Sequence, residues 1–155
     1  MKIIQAVSSI VIAQMAGVVG SFCTFNNVAT WYSTLSRPSW NPPSWIFGPV
    51  WLTLYAVIGY SAFLVWEKRK EDARAVFALW IYGVHLVLNA AWSIIFFGLQ
   101  SPRAAFFEIL ILDVLIVFVT ILFWRISRTA GILLLPYMAW VFFATYLNYT
   151  IWMLN

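Results

Sequence analysis

The chain has 155 residues, of which 64% are hydrophobic and only 9% carry a formal charge, and its mean hydropathy is +0.90. Because an ordinary soluble domain contains about 25% charged residues, this composition excludes a water-soluble globular fold. The net charge of +4 therefore bears on membrane orientation and does not indicate a nucleic-acid partner.

Five apolar runs are long enough to cross a bilayer as helices. A helical span needs about 20 apolar residues, whereas a barrel strand needs about half as many in alternation, which these runs lack. The sequence therefore predicts an all-α integral membrane bundle that forms a single domain over residues 1–155. The predicted spans are residues 4–25, 45–66, 76–98, 104–124 and 130–154.

The connection between the first two spans, residues 26–44, is by far the longest. Loops of this length are usually functional or disordered. This one combines three prolines with three aromatic residues, which favours an ordered lid over a flexible linker. These residues are Pro38, Pro42, Pro43, Trp31, Tyr32 and Trp40.

Lysine and arginine near the ends of the spans predict the orientation, because they are retained on the cytoplasmic side. Seven lie at the end that holds the N-terminus, and two lie at the opposite end. We therefore expect a cytoplasmic N-terminus in a bacterial membrane, with the lid and the C-terminus outside. The seven are Lys2, Lys68, Arg69, Lys70, Arg74, Arg125 and Arg128, and the two are Arg37 and Arg103.

Titratable side chains within the spans are few, and no set of metal ligands is predicted. Glu108 and Asp113 are about 140° apart around a helix, so they cannot form a paired-carboxylate site on one face. A carboxylate at mid-span costs about 2.5–3.5 kcal/mol on insertion scales, which makes Asp113 a functional candidate. The alternative is a hydrogen-bonded carboxyl group that faces another helix. Glu108 is expected to reach the interface.

The third span places His85, Asn89 and Trp92 on one helical face. Such a stripe either packs helices together through hydrogen bonds of about 0.6 kcal/mol or forms the wall of a ligand cavity. For His85, a satisfied core histidine is favoured over axial ligation of haem iron. Trp51 and Trp140 also lie deep in their spans, where indole rings form flat walls suited to a large planar ligand.

Three blocks of sequence carry a resemblance to a known family. Residues 31–55 read WYSTLSRPSWNPPSWIFGPVWLTLY, residues 88–92 and 96–98 read LNAAW and FFG, and residues 135–140 and 144–149 read LPYMAW and ATYLNY. In this order, over essentially the whole chain, they resemble the translocator protein / tryptophan-rich sensory protein (TspO) family, formerly the peripheral benzodiazepine receptor.

The resemblance implies a five-helix bundle, often a homodimer, with a pocket closed by the first loop. That pocket would bind porphyrins such as protoporphyrin IX and benzodiazepine-site ligands, with no cofactor required. Bacterial members are linked to light-dependent breakdown of protoporphyrin IX, which would make Trp51 and Trp140 catalytic. The expected ligand-binding residues are Trp31, Tyr32, Trp51, His85, Asn89, Trp92, Trp140 and Ala144.

The sequence departs from the family pattern at two places. His85 stands where the family commonly has glutamine, which keeps the polarity but makes protonation possible. No basic residue follows Tyr149 to complete the sterol motif of animal members, which favours a bacterial member. We therefore expect a tetrapyrrole-binding membrane protein with a sensory or regulatory role. The alternatives are a light-dependent porphyrin-degrading enzyme and a transporter of tetrapyrroles or lipids. The sequence contains no nucleotide-binding motif and no broken-helix pair, so nothing in it indicates active transport.

Overall fold

The computed structural model describes residues 2–155, which form helices and their connections with no strand in that range. Five helices are long and apolar enough to cross a membrane, as predicted. The protein is therefore an all-α, multi-pass membrane protein. The helices are α1 (Lys2–Asn27), α2 (Ser44–Glu67), α3 (Arg74–Ser93), α4 (Pro102–Ile126) and α5 (Arg128–Leu154).

The lid is shorter than predicted, because α1 continues directly into a π-helical turn over Val28–Tyr32. Polar side chains support this extension by bonding back to the preceding turn: Thr30 donates to the carbonyl of Asn26 at 2.9 Å, and Ser33 donates to that of Ala29 at 2.9 Å. The irregular part of the lid is thus residues 35–43 and not 26–44. Trp31 and Tyr32 are consequently held on a helix and not on the loop itself.

A second π-helical turn, Ile94–Gly98, extends α3 toward the same end of the bundle. Such turns recur at functional sites because they change the direction in which side chains point. The next two helices begin at serine caps. Ser101 accepts from the N–H of Ala104 at 3.3 Å, and Ser127 accepts from that of Ala130 at 3.4 Å. Since Ser127 alone joins α4 to α5, these helices form a tight hairpin and pack together extensively.

A glycine allows α1 and α2 to cross closely. A Cβ atom added at Gly59 would lie 2.6 Å from the Cα atom of Ile10. The contact is reinforced by Ser9, whose hydroxyl donates to the carbonyl of Gly59 at 2.7 Å. The small residues Ala13 and Gly17 on α1 also face α2, where they allow the two backbones to approach.

Contacts between distant residues define the two ends of the bundle. At one end the Lys2 ammonium lies 2.7 Å from the Glu67 carboxylate, which brings the start of α1 beside the end of α2. At the other end Asn155 is hydrogen-bonded to Ser36, which brings the end of α5 beside the lid. The lid and the last residues therefore share one end, and the basic connection after α2 lies at the other.

Candidate ligand-binding site

A buried polar network joins α2, α3 and α5. Asn89 accepts a hydrogen bond from the Tyr55 hydroxyl through Oδ1 and donates from Nδ2 to the Tyr137 hydroxyl at 2.8 Å. The same Tyr137 oxygen lies 2.6 Å from Nε2 of His85. His85 and Asn89 are only 1% and 3% exposed. We call these four residues the polar network; they are Tyr55, His85, Asn89 and Tyr137.

Counting hydrogens assigns the direction of each bond in the network. Tyr137 already accepts from Asn89, so its own hydroxyl hydrogen needs an acceptor, and Nε2 of His85 is within reach. This assignment leaves the imidazole proton on Nδ1. Because Nε2 is occupied by Tyr137 and the ring is buried, His85 fits the interpretation of a core histidine better than that of a haem ligand, although its Nδ1 has no hydrogen-bond partner among residues 2–155.

The indole of Trp51 lies against the polar network. Its ring stacks on Tyr55 with the centroids 5.4 Å apart and meets Tyr137 edge-on at 6.4 Å. Offset and edge-to-face pairs of this kind contribute about 0.5–1.5 kcal/mol beyond the area they bury. Trp51 therefore has one flat ring held in place by two members of the network.

Four aromatic residues form a second group beneath the lid, which we call the lid cluster: Trp31, Tyr32, Trp92 and Phe96. Trp92 stacks on Phe96 at 5.1 Å, and Trp31 meets Phe96 edge-on at 5.7 Å. The Tyr32 hydroxyl donates to Oδ1 of Asn41 at 3.0 Å, which ties the cluster to the irregular part of the lid. The cluster thus connects the lid to α3.

Trp92 is also anchored through its ring nitrogen. Its Nε1 donates to Oδ1 of Asn148 on α5 at 3.0 Å, and Nδ2 of Asn148 donates to the carbonyl of Pro102 at 2.7 Å. The bridge joins α3, α5 and the start of α4. Since Asn89 and Trp92 are one turn apart on α3, it places the lid cluster directly beside the polar network.

Trp140 occupies the remaining wall, where its indole meets Phe143 at 5.4 Å and Phe47 at 6.0 Å. Both phenylalanines pack against the buried group that contains Tyr32 and Phe96 of the lid cluster. Nε1 of Trp140 is buried and has no hydrogen-bond acceptor among residues 2–155. Ala144, one turn further along α5, packs against the main core of the bundle.

The structure thus groups most of the predicted ligand-binding residues around two connected centres, with Trp140 and Ala144 on α5 beside them. Sequence reasoning did not single out Tyr55 and Tyr137, which complete the polar network, or Phe96, which anchors the lid cluster. Tyr55 follows Trp51 by one helical turn, and this spacing could have indicated a shared face. For Tyr137 no local pattern identifies the partner, which is 52 positions away.

The two carboxylates in α4 have different environments. The expectation that Glu108 reaches the interface is wrong, because both its carboxylate oxygens are buried without a partner among residues 2–155. Ala105 and Leu112 lie about one turn to either side of Glu108 and are fully buried. Glu108 therefore lies on the same inward face of α4. Asp113 faces α5 as a hydrogen-bonded carboxyl group, with Oδ2 accepting from Thr145 at 2.9 Å.

The outer surface of the lid contains an open groove of about 400 Å³. Two of its side chains contact Tyr32 of the lid cluster: the Arg37 guanidinium lies 5.2 Å from the ring centroid, and Asn41 accepts from the hydroxyl. The groove is lined by Leu35, Arg37, Pro38, Asn41, Pro42, Pro43 and Ser44.

Comparison with known proteins gives relatives of one family over most or all of the chain. The model of the TspO/MBR family matches residues 9–153. A tryptophan-rich protein TspO of Archaeoglobus fulgidus is 39% identical over 100% of this chain and 99% of its own length. The translocator protein of Homo sapiens is 40% identical over 86% of this chain and 80% of its own. A tryptophan-rich sensory protein of Cereibacter sphaeroides is 30% identical over 81% and 77%.

Proposed function

The chain belongs to the TspO/MBR family, and we propose that it binds protoporphyrin IX beneath its lid and acts as a sensory or regulatory protein for tetrapyrroles. The ligand would lie between the lid cluster, Trp51 and Trp140. The polar network would form the floor of this site. The proposal extends to a homodimer, as the family resemblance implies.

The unpartnered indole N–H of Trp140 is the observation that carries this proposal. A buried donor without an acceptor costs about 1–3 kcal/mol, so most such groups in proteins have a partner. Nε1 of Trp140 has none among residues 2–155, and its ring adjoins Phe47 and Phe143 next to the lid cluster. A planar ligand with ring nitrogens or carboxylates would supply an acceptor there and flat surfaces for the neighbouring rings.

Ligand access requires movement of the lid, because aromatic rings fill the space beneath it. Residues 35–43 contain no helix or strand and are held mainly by side chains. Trp40 stacks on Tyr146 with the centroids 5.2 Å apart, and Asn155 bonds to Ser36. These few contacts can open without disturbing the five helices, so binding is expected to be coupled to the position of the lid.

Titration of the purified protein with protoporphyrin IX, followed by quenching of tryptophan fluorescence, tests the proposal. We expect a Kd of about 1 μM, equivalent to roughly 8 kcal/mol. Trp140→Phe keeps a ring but removes the N–H, so it should weaken binding by about twofold to tenfold, the equivalent of one hydrogen bond. Trp80→Phe is the control, because Trp80 is 74% exposed on the outside of α3.

Unchanged affinity in three variants would contradict the proposed site. If Trp140→Phe, Asn89→Ala and Tyr32→Phe each left the affinity for protoporphyrin IX unchanged while the folded state was retained, the site would lie elsewhere. Circular dichroism of each variant establishes that the helices are intact.

Light-dependent oxidation of the bound porphyrin is a second candidate activity, supported by the stack of Trp51 on Tyr55. In air the excited porphyrin would transfer energy to dioxygen, and the singlet oxygen formed would be the oxidant that adds to the macrocycle. The stacked rings of Trp51 and Tyr55 would fix which part of the macrocycle it reaches. The chemistry would belong largely to the ligand, while the protein orients it and excludes water. No general acid or base is needed.

Illumination in air distinguishes this activity from binding alone. The protein should convert protoporphyrin IX to a defined product, and Trp51→Phe or Trp140→Phe should slow conversion more than either weakens binding. Trp80→Phe again serves as the control. The enzyme candidate should be abandoned if free porphyrin in detergent gave the same product at the same rate.

A further inference from the structure

A groove on the lipid-facing side of α4 and α5 lies outside the site beneath the lid, and it meets the lid at Tyr146, on which Trp40 stacks. It has a volume of about 360 Å³ and contains the mid-membrane carboxylate of Asp113. We propose that this groove binds a small lipophilic amine, whose ammonium group pairs with Asp113 while its apolar body lies between aromatic side chains. Those side chains are Phe106, Phe142, Tyr146 and Tyr149.

One oxygen of this carboxylate is hydrogen-bonded, and the other is buried without a partner. Oδ2 of Asp113 accepts from the Thr145 hydroxyl at 2.9 Å, whereas Oδ1 has no hydrogen-bond partner among residues 2–155. Thr145 thus fixes the orientation of the group without neutralising it. None of the ion pairs among residues 2–155 involves Asp113.

Charge complementarity therefore selects the ligand. A carboxylate near the middle of a bilayer is costly unless it has a partner, and an amine from the lipid phase provides both a positive charge and N–H donors. A neutral alcohol supplies one donor but no charge, and a carboxylate would be repelled. Attraction between unit charges is far stronger in this apolar setting than in water.

The aromatic walls favour the same class of molecule. Cations are attracted to the faces of aromatic rings, and such contacts contribute about 0.5–2 kcal/mol depending on their exposure to water. Phe106 and Tyr149 contact one another along the groove, with ring centroids 5.3 Å apart. The apolar part of an amine would lie against these two rings, with its charged end toward Asp113.

The dimensions of the groove limit the size of the ligand. Phe106 and Asp113 are seven residues apart on α4, which corresponds to about 10 Å along the helix. The volume is near the lower end of the range of about 300–1,000 Å³ found for small-molecule sites. A phenylalkylamine matches this length and volume, and a tetrapyrrole is too large. The two sites therefore differ in the chemistry and the size of what they bind.

Binding of radiolabelled 4-phenylbutylamine to the protein in phosphatidylcholine nanodiscs tests the proposal, with 4-phenylbutan-1-ol and 4-phenylbutyrate as matched competitors. The amine should compete at least tenfold better than the alcohol, and the acid should not compete. Asp113→Asn should reduce amine binding at least tenfold and leave alcohol binding unchanged. Glu71→Gln removes the same charge outside the membrane and should have no effect.

Several results would overturn the proposal. Equal competition by the amine and the alcohol would show that charge plays no part, and unchanged amine binding in Asp113→Asn would place the amine elsewhere. Thermal unfolding of the variant verifies that it is folded, and Thr145→Val, which leaves the carboxylate in place, gives a second measurement with an expected weakening of amine binding. Disulfide formation between Tyr146→Cys chains together with absent amine binding would assign the groove to a second copy instead.

Discussion

Asn155 binds the backbone of Ser36 through both atoms of its amide, although the two residues are 119 positions apart. Its Oδ1 accepts from the N–H of Ser36, and its Nδ2 donates to the carbonyl of Ser36, each at 2.9 Å. This pair of bonds closes the irregular part of the lid, residues 35–43, against the end of α5. The lid therefore has a latch in addition to its aromatic contacts.

Asn155→Ala should release this latch. The loss of two exposed hydrogen bonds is expected to favour opening by about 1 kcal/mol, or roughly fivefold. Hydrogen–deuterium exchange of residues 35–43 should accelerate accordingly, with no change in the helices. Thr150→Ala is the matched control, because the Thr150 hydroxyl bonds only within α5, to the carbonyl of Tyr146. Equal exchange in wild type and Asn155→Ala would rule out the latch.

Tyr137→Phe should destabilise the fold by about 1–3 kcal/mol, because it leaves Nδ2 of Asn89 without an acceptor and Nε2 of His85 without a donor. The phenyl ring retains its packing, so the change isolates the hydroxyl. Chemical unfolding in mild detergent measures the difference. Tyr149→Phe removes the hydroxyl of a tyrosine that is 42% exposed and should have little effect. Similar losses in both variants would contradict the role given to the polar network.

His85→Gln should be tolerated, because the amide oxygen of glutamine can accept the hydrogen bond that the Tyr137 hydroxyl now donates to Nε2. We expect a change below about 1 kcal/mol, whereas His85→Leu should cost about 1–3 kcal/mol by leaving that hydroxyl unpaired. Spectra with iron protoporphyrin add a second readout. If His85→Gln abolished binding of the iron form and spared the metal-free ligand, axial ligation would replace this interpretation.

Gly59→Ala should separate α1 from α2, because the new methyl group would lie 2.6 Å from the Cα atom of Ile10. Helix backbones cannot yield as a flexible side chain does, so a loss of about 1–3 kcal/mol is expected for overpacking. Gly48→Ala is the control: a Cβ atom there meets nothing within 4 Å. The thermal unfolding temperature of both variants in detergent compares them, and an equal shift would argue against the close crossing.

The N-terminus should lie in the cytoplasm if the protein resides in a bacterial inner membrane. Of the basic residues, seven cluster with the N-terminus and the connections after α2 and α4, against Arg37 and Arg103 at the other end. Reporter fusions to each terminus should therefore give opposite signals. Fusions that place both termini on the same side would be incompatible with five spans.

Much of the architecture follows from the sequence alone. The thickness of the bilayer sets the length of an apolar run, so the number of spans could be counted without knowing any contact between them. Helical periodicity also placed His85 and Asn89 on one face, and the structure confirms that both are buried. The family could also be identified from the motif blocks, because each block consists of residues that are close together in the chain.

Only the tertiary structure decided which side chains meet. Periodicity relates residues on one helix, but the rotation and tilt that bring Tyr55 and Tyr137 to Asn89 depend on the packing of three helices at once. The same rotation buries the Glu108 carboxylate, which the sequence predicted at the interface. The latch between Asn155 and Ser36 joins segments too far apart for any local pattern, because its bonds exist only once all five helices are assembled.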